Sequence, residues 1–348
     1  MRFGPKHNAG IKSMTAAIAY PVRSPGWILT YQGVNITADI SHMVLSISYI
    51  DELGGRSGGL EVELEDRERR WQGGWFPQQG DVVSLLIGYS GELLLPCGDF
   101  QVDDLELQGP PDVFYLRCLP TWITPSLRTR NSCGYEDQTL LQIATTIAAR
   151  HGMTVVGAPN QLDVTYLRIT QKQETDLAFL RRIAIEHDYD FTVRGAQLVF
   201  YARADLEAQP AVLTLSRHQV ERFSFVSKTH LIYKQAQAAY FDPYSKQLYT
   251  QTMQANPAVA PGDVLKIVAR CENGQQALER ASAALHGTNR LLVTCRLLAP
   301  GTTLLMAGNN VALSGWNVMD GTYIIERAQH RLSRATGYIT EADLRMVS

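Results

Sequence analysis

Leu60-Glu61-Val62-Glu63-Leu64-Glu65 alternates apolar and acidic side chains without a break. Successive side chains of a strand point to opposite faces, so this segment reads as a β-strand with one face in a core and the other toward water or a water-filled lumen. The same period of two extends outward through residues 27–32, 44–50, 82–89, 100–107 and 113–119. Turn residues punctuate the runs at Gly54-Gly55, Gly73-Gly74, Gly80-Asp81 and Gly109-Pro110-Pro111. About six short strands at this spacing favour a small barrel over an open sheet.

Beyond Pro125 the periodicity becomes helical. Residues 139–150 carry apolar positions at helical spacing, with Asp137 the expected N-cap and Gly152 the stop. A second helix is predicted over 174–187, with Leu177, Leu180, Ile183 and Ala184 on one stripe and Thr175 or Asp176 at its start. Strands at 190–193 and 197–201, joined at Arg194-Gly195-Ala196, read as a hairpin. Strand patterning then returns at 212–215, 220–226, 231–240, 248–253, 291–298, 311–313, 322–331 and 337–345, interrupted by a helix over 275–286 that Asn273 caps. The expected fold is mainly β with an α+β insert: an N-terminal extension (1–24), a first β-barrel domain (25–130), the insert (131–206) and a second β-barrel domain (207–348), with strands open to sharing between the barrels.

Composition narrows the function. The 348 residues are 45% hydrophobic and 19% charged with a formal charge of −2, which suits packed cores and lacks the basic excess with which nucleic-acid binders neutralise phosphates. The five cysteines, Cys97, Cys118, Cys133, Cys271 and Cys295, are far apart and form no CxxC, so reduced, mostly buried thiols are expected. The apolar stretch 16–20 is too short for a signal-peptide core and no run reaches the length of a membrane span, so assembly in the cytoplasm is expected.

No catalytic, cofactor or metal constellation emerges. Gly55-Arg56-Ser57-Gly58-Gly59 fits G-x-S-x-G, but it lies between two strands, whereas a nucleophile elbow needs a strand entering and a helix leaving. Asp99, Asp103, Asp104 and Glu106 are divided by strand alternation between two faces, which reads as solvated surface rather than a cation site. The eight histidines show no metal-ligand spacing, and His151, His187 and His286 fall at helix C-termini, where cations and extra donors are favoured. Trp71 and Trp75, in a loop rich in glycine and aromatics, suit a protein–protein contact.

Three stretches then carry a resemblance to a family. They are Gly98-Asp99-Phe100-Gln101-Val102-Asp103-Asp104-Leu105-Glu106-Leu107 with Gly109-Pro110-Pro111-Asp112; the insert, from Thr139-Leu140 through Arg150-His151-Gly152, Gln171 to Glu174 and Asp176-Leu177-Ala178-Phe179-Leu180-Arg181-Arg182-Ile183-Ala184 to Tyr189-Asp190-Phe191; and His330-Arg331-Leu332-Ser333 with Gly337-Tyr338-Ile339-Thr340. In that order, they resemble the phage late control D proteins, tail baseplate hubs similar to the N-terminal half of type VI secretion VgrG spikes. The resemblance implies tube-like barrels in a homotrimer whose ring of six joins a six-fold tail tube to a three-fold spike. The implied partners are the tail tube protein, the central spike protein, other baseplate proteins and the tape-measure protein. It implies no cofactor, no enzymatic activity, no specific nucleic-acid binding and a final place in a virion tail or injection particle. With nothing after Ser348, the spike is expected to be a separate polypeptide. Two alternatives stay open: a cell-wall-degrading or glycan-binding tail component, and an effector-loading secretion spike protein.

Overall fold

The computed structural model describes residues 23–347, apart from 55–57, 122–124, 158–164, 229, 243–245, 256–261, 269–270 and 272. The N-terminal extension, but for its last two residues, and the Gly55-Arg56-Ser57 part of the G-x-S-x-G match lie outside the described residues.

The opening segment forms the strand Gly59–Glu65, with Leu60, Val62 and Leu64 buried. Its acidic face is paired across the sheet: Arg117 donates to Glu61 and Ser46 to Glu63. Gly59–Glu65 lies between Val44–Glu52 and Val113–Pro120, antiparallel to both. Leu95–Gln108, Val82–Tyr89, Pro25–Tyr31 and the short Val34–Asn35 continue the sheet on one side. On the other side Val44–Glu52 pairs with Gly321–Ser333, followed by Gly337–Met346, Val293–Pro300 and Arg222–Ser227. Asn310–Ser314 also pairs with Gly321–Ser333 and carries Leu213–Ser216 parallel to it. One 13-stranded sheet therefore runs through both β halves.

Its strands enclose two cores. The first gathers Leu29, Ile47, Val62, Phe100 and Phe114, and it is completed by Leu332 and Tyr338 from the far end of the chain. The second packs Leu297, Val311, Trp316, Tyr323 and Leu344.

The insert begins as a long antiparallel ribbon of Arg130–Thr139 and Thr165–Thr175. Nothing in the sequence pattern announces this ribbon, because its residues are polar and only Tyr135, Tyr166 and Gln171 among them are buried. Each strand ends on a threonine that caps the next helix. Thr139 Oγ1 accepts from the Gln142 amide while the Gln142 side chain accepts from the Thr139 amide, a capping box opening Leu140–Arg150. Thr175 caps Asp176–Ile185. The expected cap, Asp137, instead lies in the strand with φ of +49°, because the box at Thr139 fixes the helix start two residues later. The hairpin Tyr189–Arg194 with Gln197–Ala202 is present, and Thr154–Val156 joins it in parallel. The helix faces and this small sheet share a core of Ile143, Ile147, Phe179, Ile183 and Phe191.

The strand patterns at 231–240 and 248–253 do not join the large sheet. Tyr233–Asp242 pairs with Gln247–Gln254 and, in parallel, with Asp263–Val268 as a separate sheet. Helix Gly274–Asn289, capped by Asn273 as expected, packs its Ala277, Ala281 and Leu285 against Ala236 and Ala238 of that sheet. A period of two identifies a strand but not the sheet it enters, so this fourth core was not legible in the pattern.

Candidate functional site

The insert residues that carry the family resemblance converge on Asp176, which is fully buried. Its Oδ1 accepts from Gln171 Nε2 at 2.8 Å and Asn131 Nδ2 at 3.1 Å. Its Oδ2 lies 2.9 Å from His151 Nε2 and 3.7 Å from the Arg150 guanidinium. Burial opposes ionisation here, and the hydrogen bonds from Gln171, His151 and Asn131 outweigh it, holding the carboxyl below its ordinary pKa. His151 Nδ1 lies 3.0 Å from Ser126 Oγ.

A hydroxyl, an imidazole and a carboxylate in line resemble the layout of a nucleophilic triad. The surroundings give the carboxylate a structural task. Asp176 sits in the first turn of its helix, where a negative charge is favoured, and His151 is the C-cap of Leu140–Arg150. The carboxylate thus ties the end of one helix, the start of the other and both ribbon strands to one point. These partners are up to 45 residues apart in sequence, which is why no spacing motif reveals them.

The aromatic loop is divided between core and surface. Trp71 is buried and stacks on Phe114 with centroids 5.5 Å apart, and Trp75 meets it edge-on at 5.6 Å. Beneath them is an apolar cavity of about 180 Å³ lined by Leu29, Tyr31, Ile40, Trp71, Trp75 and Pro77. Phe76 and Val34 remain 56% and 63% exposed. Exposed aromatic and aliphatic groups on a firmly packed base are the composition of a protein contact surface.

The other candidates resolve into structure. Arg117 reaches Glu61, Asp104 and Glu106 at 2.9, 2.9 and 2.7 Å, so half of the acidic cluster is tied down by one cross-strand cation. Asp99 accepts from Ser84 at 2.6 Å, and Asp103 is exposed. No group of three or more His, Cys, Asp or Glu among the described residues is placed to hold a metal. Cys97, Cys118, Cys271 and Cys295 are buried free thiols and Cys133 is half-buried. Of the helix-end histidines, His286 is held toward its charged form by Asp188, whereas His187 is buried and pushed down to about 4. The expectation that His187 acts as a helix-end cation is therefore corrected: it is neutral at ordinary pH because burial removes the water that would stabilise its charge.

Comparison with known proteins places this architecture among tail proteins. A tail protein from Neisseria meningitidis MC58 superposes with a TM-score of 0.70 at 14% identity over 92% of this chain and 96% of its own. A component of the E. coli type VI secretion system, described as structurally similar to the T4 tail proteins gp27 and gp5, superposes with a TM-score of 0.57 at 12% identity over 92% of this chain and 77% of its own. At such identities the likeness is one of fold, and it defines a mainly β architecture with an α+β insert. Residues 119–336 match the family described as the phage tail baseplate hub (GPD), and the chain belongs to that family. The probable baseplate hub protein of Escherichia phage 186 is 29% identical over 206 residues, 58% of this chain and 52% of that protein, so the chain spans about half the length of this curated relative. No helix among the described residues is long and apolar enough to cross a membrane.

Proposed function

We propose that the chain is a structural subunit of a contractile-tail baseplate hub, three copies of which close into a ring between tail tube and spike. Each copy contributes two tube-like barrel units, residues 25–130 and 207–348, around the insert at 131–206, so three chains supply six units. Such a ring matches a six-fold tube on one side and a three-fold spike on the other. One observation supports the reading: the two β halves are sewn into a single sheet by the pairing of Val44–Glu52 with Gly321–Ser333. The main path of the sheet ends in Arg222–Ser227 on one side and Val34–Asn35 on the other, and edges can be joined between chains to continue a tube. Val34 on the second of these edges is exposed and apolar. Tube protein, central spike protein, other baseplate proteins and the tape-measure protein are the proposed partners, and the role is mechanical rather than enzymatic.

Light scattering of the purified protein, alone and mixed with its tube and spike partners, tests the assignment. A trimer, or trimerisation on adding spike, is the expected result. A monomer that ignores both partners would remove the hub assignment.

A further inference from the structure

All four packed units of the chain meet at one cavity. Leu53 follows the last residue of strand Val44–Glu52, Arg181 lies on helix Asp176–Ile185, and Asp190 and Arg203 belong to the insert's hairpin and the short helix after it. Arg290 ends helix Gly274–Asn289, and Glu326 and Arg345 come from the last two strands of the large sheet. They enclose a volume of about 60 Å³.

The charges around this cavity balance in number but are paired unevenly. Arg345 is 2% exposed and takes Glu207 at 2.6 Å and Glu326 at 2.8 Å. Arg203, also buried, takes Asp190 at 3.2 Å and Asp188 at 3.4 Å. Four carboxylates are thus committed to two arginines. Neither Arg181 nor Arg290 has an ion-pair partner among the described residues, and the Arg290 Nε is buried without a hydrogen-bond acceptor. Burial and the nearby Arg203 and Arg345 guanidinium groups act against the charge on Arg290 and outweigh the attraction of Glu326 and Asp190. A guanidinium stays protonated in proteins, so such a group calls for a counter-charge rather than for deprotonation.

We propose that the cavity binds one small oxyanion of the phosphate or sulfate class, held chiefly by Arg290 and Arg181. The planar fork of a guanidinium matches two oxygens of such an anion, and the space suits a tetrahedral oxyanion better than a lone water. Asp190 and Glu326 also face the cavity, but each is already engaged by an arginine. The bound anion bridges a point at which the insert, the alanine-rich helix and both β halves meet, and so fixes their relative positions.

The test uses the full chain, dialysed free of phosphate and sulfate. Thermal unfolding is followed as phosphate or sulfate replaces chloride at constant ionic strength, and retention of radiolabelled phosphate is measured by equilibrium dialysis. The expected result is a saturable Tm rise of roughly 2–4 °C with about one phosphate retained per chain. Arg290→Gln keeps a polar side chain but removes the guanidinium that has no ion-pair partner; it should lose both responses and melt no lower than the parent in chloride. Should that variant misfold, Arg181→Gln should still fold and bind roughly tenfold more weakly. No saturable rise over chloride and no retained phosphate would overturn the proposal. Equal retention by the parent and both variants would overturn it too, by placing the anion elsewhere.

Discussion

His330 is a single residue that explains why a strand motif needs its particular letters. Its Nε2 donates to the Leu305 carbonyl at 3.0 Å, which leaves Nδ1 to accept from the Tyr338 hydroxyl at 2.8 Å, while the ring stacks on Tyr49 at 5.9 Å. The arrangement suits a neutral imidazole. Burial pushes the His330 pKa down to about 4, as it does for His187. An unfolded histidine titrates near 6.5, so between about pH 4 and 6.5 the unfolded chain binds more protons than the folded one. Stability from these two residues is therefore complete above about pH 6.5 and is lost as pH falls toward 4. His286, whose pKa is raised by Asp188, works in the opposite sense and loses its contribution as pH rises through its folded value. The unfolding free energy from urea titration should fall for the parent between pH 7 and pH 4.5, and His187→Gln and His330→Gln should each reduce that fall by about 1–3 kcal/mol. An unchanged fall in both variants would show that neither histidine is held neutral. The letters His330 and Tyr338 were visible in the sequence as part of a resemblance, but their partnership was not, since Leu305 and Tyr49 come from distant segments.

At the scale of elements, legibility followed the strength of the periodic signal. Gly59–Glu65 was plain because Leu60, Val62 and Leu64 make one face apolar and Glu61, Glu63 and Glu65 make the other acidic. Helix Gly274–Asn289 was plain because Asn273 precedes an alanine-rich stripe. The ribbon Arg130–Thr139 with Thr165–Thr175 was invisible because two polar strands that bury three side chains have no period to detect. The helix start at Thr139 was misplaced for a related reason: Asp137 and Thr139 are both good caps by type, and only the Gln142 side chain, three residues on, decides between them. Thr139→Ala should therefore cost about 1 kcal/mol of stability, with Thr139→Ser nearly neutral and Asp137→Ala costing less than either cap bond. Urea unfolding of the three variants measures this directly, and a larger loss from Asp137→Ala would return the cap to that residue.

For the whole molecule, the decisive fact is that the first β half is not complete without the end of the chain. Val44–Glu52 pairs along Ser46 to Glu52 with Gly321–Ser333, and the seam is reinforced by Gln329 donating to Ser48 at 2.8 Å and by Arg327 at 3.4 Å from Glu52. Asp51 accepts from the Ala307 amide at 3.0 Å, and Leu332 and Tyr338 fill the first core. Local patterning announces each strand, but a contact across 281 residues is set only by which edges and faces remain to be covered. A chain stopped after residue 206 would expose the Val44–Glu52 edge, which carries the buried Val44 and Ile47, and open a hole where Leu332 and Tyr338 should pack. Unpaired apolar edges template association with other chains. The fragment 1–206 should accordingly self-associate or fall out of solution, whereas co-expression with 207–348 should return a soluble one-to-one complex on size-exclusion chromatography. A soluble monomeric fragment with a cooperative melt would mean that the first β half stabilises itself and that the shared sheet is a seam between independent units.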